Sequence, residues 1–155
     1  MIRQAASSSL SELEEPYTFQ PVLRDPTVEA RQAERVILVS GKLYYDLVKE
    51  REVRGLCERV AVVRVEELCP FPFEALRGVL SGARDVRWVQ EEPRNQGAWM
   101  HVSPRAAQVL EKSLAYHGRG EDAVPAPGVG KLYRIQQDMV IKGAFEGIRQ
   151  EVGIS

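Results

Sequence analysis

The sequence predicts an α/β fold: a parallel sheet covered by helices on both faces. Three observations predict it. Continuous apolar runs recur along the chain, RVILVS at 35–40, RVAVVRVE at 59–66 and VRWVQ at 86–90, and a strand buried on both faces reads this way. Stretches with a helical period separate these runs. Glycines at 41, 55 and 82 mark the changes from one period to the other.

Residues 1–34 have weak periodicity and read as an N-terminal extension, with the regular domain at 35–155. Ser9 or Ser11 offers a cap for a short helical turn. FQPVL at 19–23 suits an edge strand, because Pro21 is tolerated only at an edge. ARQAE reads as a polar lead-in.

From Arg35 the elements follow in order. RVILVS is a buried strand, and Ser40-Gly41 ends it and can cap the next helix. LYYDLVKERE sets Leu43, Leu47 and Val48 on one face, with Lys49, Glu50 and Arg51 outside. Gly55 stops that helix, and 59–66 is the second core strand. PFPFEAL opens a helix with prolines where a missing N–H costs least. That helix runs over 73–80 with Leu76, Val79 and Leu80 inward. Gly82 ends it, and 85–90 is the third core strand, with Trp88 in the core. Helix is expected over 97–110, with Pro104 at its start or at a kink. LAYHG at 114–118 is a fourth short strand. A Pro/Gly-rich loop fills 119–130, and 135–148 is again helical, with Met139, Val140 or Ile141, Phe145 and Ile148 as its apolar set.

Composition bounds the function. A chain of 155 residues buries roughly 70% of its unfolded surface, enough for one core. With 44% hydrophobic and 28% charged residues and a net charge of −1, neither nucleic acid nor a membrane surface is an expected partner. No apolar run approaches the ~20 residues that span a bilayer. MIRQAASSS lacks the apolar stretch of a signal peptide. Cys57 and Cys69 form neither a disulfide framework nor a CxxC pair, which fits a reducing compartment. Cys69, ahead of Pro70, reads as a small buried hydrophobe.

Several chemistries lack their motifs. Ser40-Gly41-Lys42 follows a strand, yet GxxxxGK[ST] and GxGxxG are both missing. His101 and His117 have no partners at metal-ligand spacing, and GxSxG is missing. No nucleophile–base pair can be assembled, so the isolated chain is expected to be catalytically silent.

The polar residues worth weighing cluster at 91–99, past the carboxyl end of the third core strand, where open α/β sheets place ligands and interfaces. Glu91 and Glu92 are a carboxylate pair that could raise one pKa by repulsion. Alternatively one forms a salt bridge while the other is solvated, which suits adjacent residues pointing to opposite faces. Asn95 and Gln96 carry amides for a structural turn or for a partner's carbonyls. Trp99 fits an interface as well as a core. Tyr44 and Tyr45 are adjacent on a helix, so one packs and the other shows its edge. Arg119 opens the glycine-rich loop and is either an anion contact or a solvated loop arginine.

SGKLYYDL (40–47), RVEELCPFPFEAL (64–76), WVQEEPRNQGAW (88–99) and PAPGVGKLYRIQQDMV (125–140) together resemble the carboxyl-terminal region of the 2-oxoglutarate dehydrogenase family, the thiamine diphosphate-dependent first components of 2-oxo acid dehydrogenase complexes. The resemblance runs from about 19 to about 145. RVEELCPFP and VSPR (102–105) are closer to the 2-oxoadipate branch; the 2-oxoglutarate branch usually has Tyr in place of Cys69. The resemblance implies a transketolase C-terminal-type domain: a three-layer α/β/α sandwich on a mixed five-stranded sheet whose first strand is antiparallel. It also implies that thiamine diphosphate and magnesium are held by domains upstream, so that none of their ligands lies in this chain and Met1 is where a fragment begins. The implied partners are a second copy in a homodimer, the remaining domains of the same enzyme and the dihydrolipoyl acyltransferase component. The implied location is the mitochondrial matrix in a eukaryote or the cytoplasm in a bacterium. Tyr44, Tyr45, Glu91, Glu92, Asn95, Gln96 and Trp99 become interface candidates. Arg119 aligns with an arginine of an acyl-coenzyme A effector site in some bacterial relatives. Here Gly120 replaces the usual proline, and Glu121-Asp122 work against a phosphate. EGIRQEVGIS extends beyond the usual stop. The alternative reading is a free-standing nucleotide- or partner-binding module of the same fold. A flavodoxin-like oxidoreductase finds no support in the loops.

Overall fold

The computed structural model describes residues 18–148. Its elements are β1 (Val22–Leu23), β2 (Arg35–Val39), α1 (Leu43–Val53), β3 (Val60–Val65), α2 (Phe73–Leu80), β4 (Val86–Pro93), α3 (Trp99–Leu110), β5 (Ala115–Arg119) and α4 (Gly130–Gly143). The strands form one sheet in the order β1-β3-β2-β4-β5. Strands β2 to β5 pair in parallel, and β1 is antiparallel to β3, with Val22 opposite Val65. The Pro21 carbonyl accepts from the N–H groups of Glu66 and Glu67, so the proline stands just outside the ladder, where its missing donor is not needed.

Two apolar layers sandwich the sheet because successive side chains on a strand point to opposite faces. On one face Val36, Leu38, Ala61, Val63 and Trp88 pack with Leu76 and Leu80 of α2 and Val102 and Ala106 of α3. On the other, Ile37, Val39, Val62 and Val89 meet Leu43 and Leu47 of α1 and Val140, Ala144 and Phe145 at the end of α4. The architecture is therefore the expected mixed five-stranded α/β sandwich. Val22, Val28, Ala30 and Ala33, from the expected extension, join the first layer. The possible caps Ser9 and Ser11 lie outside the described residues.

Several expectations change. Arg51 is not on the solvent side of α1; its side chain is 2% exposed and ion-paired with Asp25. The last helix begins at Gly130 and ends at Gly143, not 135–148. Met139 is 67% exposed, outside the apolar set that Val140 and Phe145 do join. Cys69 is exposed, because the segment entering α2 lies on the surface. Lys42 rather than Ser40 or Gly41 is the N-cap of α1, with no side-chain cap bond. Helix α3 starts at Trp99, with Pro104 inside it.

Two buried arginines tie distant segments to the sheet. The Arg35 guanidinium bonds Asp85 Oδ2 at 2.7 Å and the carbonyls of Ala144 and Glu146 at 3.0 and 2.8 Å, which anchors the chain after α4. Arg51 bonds Asp25 and the Val60 carbonyl.

Candidate functional site

After β2 the chain crosses to β3 on one side, then returns past β2 to β4 on the other. The carboxyl ends of β2 and β4 thus flank a switch point, where sheets of this kind open a crevice. A cleft of ≈570 Å³ lies there, with Lys42 from the β2–α1 turn, Glu91 and Glu92 from β4, and Cys69 and His101 among its walls. Gly41 makes the tight turn at its floor with φ +74°. Lys42 Nζ lies 3.2 Å from Glu91 Oε1. Burial pulls the Lys42 pKa down, but hydrogen bonding and charge from Glu91, with Tyr133, outweigh it and leave it raised. His101 Nε2 is 2.7 Å from the Leu68 carbonyl oxygen.

Gln90 organises the turn that follows β4. Its Oε1 accepts from Trp88 Nε1 and from the Trp99 N–H, each at 2.9 Å. Its Nε2 donates to the carbonyls of Glu92, Pro93 and Gln96 at 3.2, 3.0 and 2.8 Å. One buried amide thus holds both the strand end and the start of α3. Gly97, at φ +63°, lets the chain pass; a Cβ there would sit 3.0 Å from Gln90 Nε2 and from Glu92 Oε2. Sequence reading singled out the residues around Gln90 but not Gln90. A polar residue closing an apolar strand was the available signal.

Glu91 and Arg119, weighed separately in the sequence, share a partner. Gln137 of α4 donates to Glu91 Oε2 at 2.9 Å, and its Oε1 lies 3.5 Å from Arg119 Nη2. The Arg119 guanidinium also stands 5.2 Å over the Tyr133 ring, and its buried Nε has no acceptor. Glu91 and Glu92 line the same cleft but take different neighbours: Glu91 turns to Lys42 and Gln137, Glu92 to the Gly97 turn. Asn95 and Gln96 both donate to the Asp122 carbonyl at 2.9 Å, and Asn95 Oδ1 accepts from the Asp122 N–H at 3.0 Å. Their amides clamp the glycine-rich loop onto the β4 turn.

Trp99 is 6% exposed and packs 4.9 Å from Tyr116 within this chain. Tyr116 donates to the Arg119 carbonyl at 2.7 Å. Burial pushes its phenol up to about 12; Arg94 opposes the shift and Glu92 adds to it. Tyr44 and Tyr45 form another cluster, edge to face at 5.2 Å, with Arg64 of β3 4.5 Å over the Tyr44 ring. Burial raises the Tyr44 pKa. His117 lies against the Val140 carbonyl at 2.9 Å, and burial lowers its pKa.

The polar groups of this region are largely spent on one another. Among the described residues no group of three or more His, Cys, Asp or Glu could hold a metal. Nor is any helix of the described residues long and apolar enough to cross a membrane.

Residues 7–145 match the family model described as 2-oxoglutarate dehydrogenase C-terminal. The chain is 39% identical over 145 residues to the human 2-oxoadipate dehydrogenase complex component E1, covering 91% of this chain and 16% of the relative. Against the Xenopus laevis protein of the same description identity is 43% over 140 residues, covering 88% and 15%. Against a Staphylococcus aureus (strain JH9) 2-oxoglutarate dehydrogenase E1 component it is 39% over 133 residues, covering 83% and 14%. The chain therefore spans less than a fifth of the length of these relatives. Among solved structures, a chain described as a split gene transketolase, inactive beta4 tetramer, aligns with TM-score 0.56 and 14% identity, over 84% of this chain and 43% of that one. That likeness concerns the fold alone.

Proposed function

The chain belongs to the 2-oxoglutarate dehydrogenase C-terminal family, and from that premise we propose that it is the carboxyl-terminal domain of a thiamine diphosphate-dependent 2-oxo acid dehydrogenase first component. The observation that carries this reading is the family match over 7–145 at 16% or less of the length of E1 relatives. The substrate is a 2-oxo dicarboxylic acid, 2-oxoadipate before 2-oxoglutarate. In the intact enzyme thiamine diphosphate and magnesium, held upstream, supply the electron sink for decarboxylation. This domain assembles the enzyme. Gln90 fixes the turn that presents Glu91, Glu92, Asn95 and Gln96, while Tyr44, Tyr45 and the rim around Trp99 face the neighbouring domains. The proposed partners are a second copy and the dihydrolipoyl acyltransferase component. The proposed location is the mitochondrial matrix in a eukaryote and the cytoplasm in a bacterium.

The test is a chimera. The corresponding region of the human 2-oxoadipate dehydrogenase component is replaced by residues 18–148 of this chain. The chimera should decarboxylate 2-oxoadipate when thiamine diphosphate and magnesium are supplied, while the 155-residue chain alone should not. A folded but inactive chimera, or turnover by the chain alone, would overturn the assignment.

A further inference from the structure

Among the described residues, strand β5 is the last in the sheet and pairs only with β4. Its outer edge therefore presents unpaired N–H and C=O groups. Helix α4 stands beside that edge. Leu132, Ile135 and Met139 fall at i, i+3 and i+7 and make one stripe along it. They are 45%, 49% and 67% exposed, although the same helix packs Val140 onto the sheet. Between the stripe and β5 runs a groove of ≈780 Å³. An open edge beside an apolar stripe is a surface that proteins cover. The topology disfavours the chain beyond α4 as the cover. From β4 to β5 the chain moves outward with α3 on the first face, whereas α4 lies on the second. A parallel strand added outside β5 after α4 would close a crossover of the opposite hand to β4–α3–β5, and parallel crossovers are right-handed in nearly all sheets.

We propose that the β5 edge takes an extended segment of another polypeptide as an added strand, apolar at alternate positions and acidic where it passes Arg119. The inference goes beyond the function proposed above and does not depend on it. Main-chain pairing with β5 satisfies the open edge, which a helix laid in the groove would leave unpaired. Alternate side chains of an added strand point to the α4 face, where Leu132, Ile135 and Met139 cover them. Charge sets the acidic position. Of the charged residues that line the groove, Asp138 and Lys142 neutralise each other at 2.9 Å. Glu146 and Arg87 act on the His117 ring with opposite sign. Arg119 is left over, and its buried Nε has no acceptor. Glu121 and Asp122 do not line the groove, and the Asp122 carboxylate accepts from the Val124 N–H at 3.2 Å. A passing carboxylate would supply what Arg119 lacks. Strand β5 itself, AYHGR, has neither the alternation nor an acid, so a second copy is not the occupant this edge selects.

The probe is a labelled peptide of alternating Val and Thr with Asp at both ends, so that either strand direction brings an acid to Arg119. Its anisotropy is followed on titration with the full 155-residue chain. The peptide should bind, and a version with Lys at both ends should bind ~10-fold more weakly. Of two versions methylated on alternate backbone nitrogens, the one whose methyl groups face β5 should lose binding. Ile135→Asp and Met139→Asp should each weaken binding by ~10-fold or more. Val53→Asp, 76% exposed on α1, should leave it unchanged. All three side chains are exposed, and matched thermal unfolding shows that each variant folds. No binding, equal binding of the Asp and Lys peptides, full binding by both methylated versions, or indifference to both α4 substitutions overturns the proposal. Two further results overturn it by naming another occupant. A dimer seen in sedimentation and dissociated by Ile135→Asp would put a second copy on this edge. Peptide binding gained only on deleting 149–155 would put the chain's own tail there.

Discussion

The carboxylate of Asp25 is buried against the guanidinium of Arg51, the two side chains 0% and 2% exposed. The same carboxylate accepts from the Val62 N–H at 2.8 Å, and Oδ1 accepts from the N–H and hydroxyl of Thr27 at 2.8 and 2.6 Å. A loop residue thereby pins the segment before β2 to the central strands and to α1.

Breaking this pair leaves an uncompensated charge in the core. Asp25→Ala or Arg51→Ala is expected to destabilise the chain by about 3–5 kcal/mol. Urea unfolding followed by tryptophan fluorescence measures it. A double Asp25→Ala/Arg51→Met variant should lose less than the sum of its single changes, because neither charge is left alone. Additive losses would mean that the two residues are not coupled.

The same carboxylate sets an acid limit. Burial works to raise the Asp25 pKa from 3.8, but the hydrogen bonds from Thr27 and Val62 and the charge of Arg51 win, so it is lowered. The unfolded chain then binds more protons than the folded one wherever the two values differ. The contribution to stability is complete above about pH 3.8. It drains as pH falls from there through the lowered folded value. Asp85, bonded to Arg35 and Arg87, is also lowered despite the opposing effect of burial, and it adds in the same direction. Unfolding free energies measured between neutral and strongly acid pH should fall in that interval, and Asp25→Asn should flatten the slope.

Gln90 offers a different kind of test. Replacing it with Leu keeps the volume but strands the Trp88 indole N–H, the Trp99 N–H and three carbonyls. A loss of about 2–4 kcal/mol is expected. Glu at this position could still accept from the two donors, yet it cannot donate to the three carbonyls, so it should rescue little. Proton exchange at the Trp88 indole should accelerate in both variants. Unchanged exchange would remove Gln90 as the organiser of the turn.

Acetyl-coenzyme A and AMP report on Arg119. An anion contact there predicts heat on titration into wild type and a loss of about 1.5–3 kcal/mol of binding in Arg119→Ala. Equal heats for both proteins, or none, would leave Arg119 as a residue that only joins β5 to α4 through Gln137 and Tyr133.

The sheet was readable because strands buried on two faces leave little room for polar residues, and β2 and β3 have almost none. Arg51 was not. A charged residue on a helix reads as solvent-facing unless its partner is known, and Asp25 lies 26 residues away. The Glu91–Gln137 bond spans 46 residues and left no local trace. Adjacency in sequence suggested that Glu91 and Glu92 face apart, but the register of β4 shifts between Val89 and Pro93, and both residues line the same cleft. The start of α4 was hidden by the Pro/Gly composition of 125–130, whose last glycine is the first helical residue. Cys69 was misplaced because a small apolar residue beside a proline gives no sign of which side of a surface loop it takes.

The order of the strands has a mechanical consequence. The chain enters the sheet through β1, and β5 lies at the far edge, four strand spacings or about 19 Å across. Cargo tethered on the entering side and a neighbour docked on the open side would never compete for room. The domain would then act as a coupling plate: one edge takes the load, the other makes the joint, and the stiff parallel strands between them transmit any tilt from one to the other.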